Sequence, residues 1–228
     1  QAFEARAIDY TGIERNEARG EMLYLAGGEP WRYWLRRVRG RIIVCDFHLL
    51  NPRIMQIKRA ARNGAAGLIL VSGHKDDLQA GTGAPADTPG AGMPVVVIRR
   101  KDWTALRKAS TRQATVRMQS ALSRKEGVNF IFDLPGRERD KTLVIGAHYD
   151  SWFHGAQDNA SGVAVLVAMA QELAEKKLRH NLRFIFFDAE ELGMVGSRRH
   201  LAQQSGDYRF FLNLDMPLPV KGSRLMVM

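Results

Sequence analysis

The sequence predicts an α/β protein in two parts: a small β-rich α/β domain, then a mixed, mainly parallel sheet flanked by helices. Three observations carry this. Short uninterrupted runs of Val, Ile, Leu and Phe read as strands buried on both faces. Segments with apolar residues at helical spacing lie between those runs, which is the alternation that builds a parallel sheet. Charge then separates the halves: of the net +10, residues 1–120 carry +9 and residues 121–228 only +1. A length of 228 residues suits one or two domains, at about 100–200 residues each.

In the first half, residues 21–25 are a short strand candidate and residues 42–46 a buried strand introduced by Gly40-Arg41. Asn51-Pro52 starts a helix, with Ile54, Ile57, Lys58 and Ala61 at helical spacing and Asn63-Gly64 as its stop. Residues 67–71 form another buried strand, residues 80–92 a Gly/Pro/Ala-rich loop, residues 93–98 a strand and residues 101–108 a short helix. In the second half, residues 128–134 and 142–147 are strands around a Pro135-Gly136 turn. Residues 159–177 form a helix, apolar at Val163, Leu166, Val167, Ala170 and Leu173. Residues 182–187 are a buried strand, residues 190–204 mostly helix, and residues 210–214 a further strand.

Composition narrows the function classes. With 45% hydrophobic and 25% charged residues the chain has material for a sizeable core, which excludes disorder as its main state. The longest apolar run, residues 162–170, is too short to cross a bilayer, so no transmembrane segment is expected in this chain. One cysteine, Cys45, excludes a disulfide framework within the chain and a multi-cysteine metal site. The chain opens at Gln1 without an initiator Met or leader and closes on apolar residues 225–228, so a piece of a longer protein is expected.

Four polar clusters follow apolar runs in the second half: His148-Tyr149-Asp150, Asp158-Asn159, Asp188-Ala189-Glu190-Glu191, and Asp215 after Asn213-Leu214. Sites in α/β sheets form beyond the carboxyl ends of strands, which is where such runs deliver them. One imidazole with several carboxylates and no thiolate suits a divalent ion, zinc before Mn or Co. Asp150 could orient His148 through its other ring nitrogen. Asp158, at a helix start, gains from the positive dipole end, and its two oxygens could bridge two metals. Neighbouring Glu190 and Glu191 diverge, so one could ligate metal while the other acts as base on water.

These stretches resemble the co-catalytic di-zinc aminopeptidase family, which includes bacterial leucyl aminopeptidases, aminopeptidase Y and glutamate carboxypeptidase II relatives. The resemblance covers residues 127–216, from Gly127-Val128-Asn129 and Leu134-Pro135-Gly136 through Gly146-Ala147-His148-Tyr149-Asp150-Ser151 and Gly155-Ala156-Gln157-Asp158-Asn159-Ala160-Ser161-Gly162. Asp188-Ala189-Glu190-Glu191-Leu192-Gly193-Met194-Val195-Gly196-Ser197 and Asn213-Leu214-Asp215-Met216 complete it. The order and the spacings of 10, 32 and 25 residues between His148, Asp158, Glu190 and Asp215 make the set specific. It implies a zinc exopeptidase-like catalytic domain over residues 124–228 that binds two zinc ions. His148 and Asp215 would bind one zinc, Asp158 would bridge, Glu191 would bind the second zinc, Glu190 would be the general base and Asp150 would support His148. The family's second zinc takes a further His downstream, and this chain stops 13 residues after Asp215. A truncated catalytic domain is therefore expected.

Residues 20–118 resemble a protease-associated domain, through Val38-Arg39-Gly40-Arg41-Ile42-Ile43-Val44-Cys45-Asp46, residues 60–71 and Met93-Pro94-Val95-Val96-Val97-Ile98. The two resemblances together imply a zinc-dependent exopeptidase of aminopeptidase type, acting on peptides or peptide-like substrates, and an exported location. A non-catalytic receptor or scaffold on the same fold is the alternative, as are glutaminyl-cyclase-like and carboxypeptidase-like activities.

The remaining chemistry-bearing residues read plainly. His154 beside Gly155 is expected in an exposed loop, and His48, His74, His180 and His200 at the surface. Residues 31–41 mix Trp31, Tyr33 and Trp34 with five arginines. Such a segment could stack on and neutralise nucleic acid, but strand or loop aromatics on a basic surface are the favoured reading, and no nucleic-acid partner is expected. The 80–92 loop lacks the Gly-Lys-Ser/Thr ending of a phosphate loop. Cys45 is expected to be inert core.

Overall fold

The computed structural model describes residues 2–9, 11, 17–46, 53–73, 76, 78, 92–119, 121, 123–204 and 208–217. The expected helix start at Asn51-Pro52, nearly all of the 80–92 loop, and His48 and His74 lie outside the described residues. The chain divides into two compact units, Gln1–Arg124 and Lys125–Met228.

The first unit is a six-stranded sheet. Its strands are β1 (Arg6–Ala7), β2 (Glu17–Tyr24), β3 (Ile42–Asp46), β4 (Gly67–Val71), β5 (Val95–Ile98) and β6 (Gln113–Arg117), in the order β1-β5-β4-β3-β2-β6. The four central strands run parallel, and β1 and β6 pair antiparallel at the edges. Alternation explains the unbroken apolar runs. Ile43, Cys45, Leu68 and Leu70 point into one core with Ile57 of α2 (Arg53–Arg62), while Ile42, Val44, Ile69 and Val71 point into another with Trp103 of α3 (Arg100–Leu106). Both faces are covered, so every position must be apolar. Cys45 is fully buried, and burial pushes its thiol up to about 12 against the opposing hydrogen bond of Tyr33.

Three features of this unit differ from the sequence reading. Edge strands β1 and β6 were not foreseen, because β1 is two residues long and β6 buries chiefly Val116. The aromatic–arginine stretch opens as a helix, α1 (Pro30–Trp34), rather than a strand or loop. Pro30 occupies its first position, where a missing N–H costs nothing. Of its three aromatics only Tyr33 feeds the core; Trp34 is 81% exposed.

The second unit holds β7 (Phe130–Leu134), β8 (Glu138–His148), β9 (His180–Phe187) and β10 (Tyr208–Asn213), in the order β10-β8-β9-β7. β8 runs parallel to β9 and β10, and β7 is antiparallel to β9. The register sets His148 beside Phe187 and Gly146 beside Asn213, so the segments leaving β8, β9 and β10 emerge at one end of the sheet. Helix α4 (Ser161–Ala174) covers one face, packing Leu166 against Ile145, Ala147, Leu182, Phe184 and Leu214. Val144, Ile185 and Phe187 form a smaller cluster on the other face with Tyr208.

Both expected helices start late. α4 begins at Ser161 because Asp158 and Asn159 have non-helical backbone angles inside a wide turn, Ala156–Ala160. Asn159 takes the capping role, its Oδ1 accepting from Gly162 N at 3.0 Å. α5 (Val195–Gln203) begins five residues after Glu190, because Gly193 and Met194 are left-handed, with φ of 103° and 58°.

His200 is buried, not at the surface: it stacks on Tyr208, packs edge-on to Phe187 and hydrogen-bonds Tyr208 Oη at 2.9 Å. Burial and then the Arg183 guanidinium hold its pKa below the ordinary value. The unfolded chain therefore takes up this proton first as pH falls. Stability should decline as pH drops below about 6.5, the unperturbed histidine value. His200→Gln should flatten that decline in urea-midpoint measurements across pH 7 to 5.

Candidate metal centre

His148 ends β8 and is 2% exposed. Its Nδ1 lies 2.9 Å from the Asp150 backbone oxygen. That carbonyl can only accept, so Nδ1 carries the proton and Nε2 keeps its lone pair in the neutral ring. Nε2 faces two carboxylates, with Asp158 Oδ1 at 3.0 Å and Asp215 Oδ1 at 3.7 Å. Asp158 comes from the wide turn before α4, and Asp215 from the segment just beyond β10. One ligand atom from each of the three residues falls within a 4.8 Å sphere of mutual distance. The end of β8, the turn before α4 and the segment beyond β10 thus meet where the parallel strands end.

The two glutamates arrive by another route. Asp188 follows β9, and the chain then turns tightly, with Gly193 N and Met194 N both donating to Glu190 O. Asp150 holds this turn: its Oδ1 accepts from Glu190 N at 2.9 Å and its Oδ2 from Glu191 N at 3.1 Å. The Asp150 carboxylate is 3.4 Å from His148 Nδ1, so its backbone oxygen is the closer partner of the imidazole. Asp150 thereby joins the histidine to the glutamate pair. Glu191 is outside the His148–Asp158–Asp215 group. His154 is exposed in its loop, as the sequence suggests.

Charge accumulates here. Burial and then the neighbouring Asp215 raise the Asp158 pKa, and burial leads the rise at Glu190 as well. Glu191 is pushed up to about 7 by burial, then by Asp158 and Glu190. Burial alone would lower the His148 imidazole, but the surrounding Asp150, Asp215 and Glu190 outweigh it and carry it up to about 11. Asp150 moves the other way: burial opposes, while His148 and the two glutamate N–H groups hold its carboxyl below the ordinary value.

The residues fit a divalent metal. Among the described residues, buried His148 Nε2 has no hydrogen-bond partner, although two carboxylates face it. A buried polar nitrogen left without a hydrogen bond costs about 1–3 kcal/mol. A cation between the ring and the carboxylates removes that cost, and a nitrogen–oxygen donor set of this kind suits zinc.

Sequence reasoning passed over the residues that fix the loop of glutamates. Asn129 Oδ1 accepts from Asp188 N at 3.0 Å, and its Nδ2 donates to Gly196 O at 2.9 Å. Asp188 Oδ2 accepts from Val128 N at 3.0 Å. Asn129 stands in the motif stretch itself, but nothing in its type says which backbone groups it reaches.

Residues 129–226 match peptidase family M28. The chain is 29% identical over 227 residues to the probable lipoprotein aminopeptidase LpqL of Mycobacterium tuberculosis, spanning 93% of this chain and 44% of that protein. It is 36% identical over 114 residues to the aminopeptidase YwaD of Bacillus subtilis, spanning 48% of this chain and 24% of that one. Among solved structures, an aminopeptidase from Aneurinibacillus sp. strain AM-1 superposes with a TM-score of 0.71 at 26% identity, over 95% of this chain and 55% of that one. A zinc aminopeptidase from Bacillus subtilis shares the fold with a TM-score of 0.73 at 24% identity, over 95% and 54%. The chain spans about half the length of these structures, and less than half of the curated relatives. The match to peptidase family M28 falls on the unit that carries the histidine–carboxylate cluster.

Proposed function

We propose that the protein is a zinc-dependent aminopeptidase that removes N-terminal residues from peptides, with two zinc ions at this centre. The observation that carries the reading is the convergence of His148, Asp158 and Asp215 around an unpartnered, buried imidazole nitrogen. His148 and Asp215 would hold one ion, Asp158 would bridge, and Glu191 would serve the second. When bound, zinc supplies a Lewis acid for the scissile carbonyl and lowers the pKa of water toward about 7. Glu190 takes the proton from the attacking water and returns it to the leaving amine, completing hydrolysis of the peptide bond. Its raised pKa suits a group that both accepts and donates. Asp150 orients the imidazole through its backbone and fixes Glu190 and Glu191 through its carboxylate.

The first unit is read as a protease-associated domain, and the protein as exported. The second reading is supported by the relative named a lipoprotein aminopeptidase. Among the described residues, no helix is long and apolar enough to cross a membrane.

The test is elemental analysis of the full-length protein beside hydrolysis of aminoacyl anilides. Bound zinc close to two per chain, with hydrolysis abolished by chelator and restored by zinc, is expected. Cleavage of N-blocked peptides from the other end would make it a carboxypeptidase, and ring closure of N-terminal glutamine without hydrolysis a cyclase. A folded protein with neither metal nor activity would be a receptor or scaffold.

A further inference from the structure

Asn159 is 1% exposed and directly follows Asp158. Its side chain makes three hydrogen bonds. Nδ2 donates to Leu214 O at 2.8 Å, and Oδ1 accepts from Met216 N at 3.1 Å and from Gly162 N at 3.0 Å. Leu214 and Met216 are the residues on either side of Asp215. One amide therefore grips the backbone before and after one carboxylate, while its own main chain carries the other. An amide can donate on one side and accept on the other; an ionised carboxylate only accepts, and an apolar isostere does neither. The surroundings are built to keep it there. A Cβ on Gly162 would overlap both Asn159 Oδ1 and Leu214 O, so this helix position has room only for glycine. Asp158 and Asp215 come from different elements, and each is partly exposed. Their spacing must be imposed from beneath.

We propose that Asn159 is a positioning residue that sets the separation of Asp158 and Asp215 and thereby the metal affinity of the centre. This rests on the metal-centre reading above. Groups that orient metal ligands from behind typically contribute about 10–100-fold to affinity.

The experiment titrates zinc into full-length apoprotein against a chromophoric chelator, and records the visible absorption of the cobalt form. Asn159→Ala should weaken the first zinc by about 10–100-fold and alter the cobalt spectrum, with the near-ultraviolet dichroism of the apoprotein retained. Leu173→Ala, which loosens the same helix at its far end, controls for lost stability and should leave both readouts unchanged. If apo Asn159→Ala does not fold, Asn159→Ser, which keeps a polar group but cannot span both sides of Asp215, carries the measurement. A folded variant with unaltered zinc affinity and cobalt spectrum overturns the proposal. His148→Ala separates the two ideas: should it also bind zinc normally, the metal-centre reading falls first.

Discussion

Glu190→Gln should lower turnover by about 10²–10⁴-fold, the usual contribution of a general acid–base. Metal content should stay as in the wild type. The substitution keeps the size and the backbone N–H of residue 190, so the bond to Asp150 Oδ1 survives. What is lost is the ability to carry a proton. The environment is arranged for that ability: burial, together with the charges of Asp215 and Asp150, raises the Glu190 carboxyl despite the opposing imidazole. The matching change at its neighbour separates the roles. Glu191→Gln should reduce zinc content and activity together, because Glu191 is read as a ligand and not as the base. Both variants are checked by kcat on an aminoacyl anilide and by zinc per chain. Full turnover in Glu190→Gln would remove the base assignment and leave the metal centre standing. Loss of zinc in that variant would exchange the two glutamates.

The parts of this architecture that were legible in the sequence are those set by short-range pattern. The unbroken apolar runs of β3, β4 and β5 foretell burial on both faces, and each proves to feed two cores. Apolar runs place three of the four polar clusters at strand ends, and β8, β9 and β10 deliver those ends to one place; Asp158-Asn159 instead lies in the turn before α4. What escaped depends on backbone angles and distant partners. Helical spacing after Glu190 gave no sign that Gly193 and Met194 would be left-handed. The wide turn at Asp158 looked like a first helical turn, since Asp and Asn are ordinary caps. The brackets of Asn159 and Asn129 join segments that only the folded sheet brings together. Asp150 shows the limit most clearly. Its spacing from His148 suggests a carboxylate–imidazole pair, but its backbone serves the ring and its carboxylate serves Glu190 and Glu191.

Phe184→Ala tests whether the core and the centre are one structure. Phe184 is fully buried on β9, between β8 and β7, with Phe132 at 6.2 Å between ring centroids. Truncating such a residue costs about 3–5 kcal/mol, against a whole-domain stability of about 5–15 kcal/mol. In the presence of chelator, the variant should unfold at a far lower urea midpoint than the wild type. The cluster around Phe184 includes Ala147 and Leu214, the residues immediately before His148 and Asp215. Loosening this core therefore loosens two of the three residues that converge on the imidazole nitrogen. A metal that binds only the folded form works in reverse: at a hundred times its dissociation constant it returns about 2.7 kcal/mol. Zinc should thus restore much of the midpoint lost in Phe184→Ala, and should restore nothing when His148→Ala is added. If zinc rescues the double variant as well as the single one, the ion acts elsewhere in the molecule. If it rescues neither, these three side chains do not hold zinc.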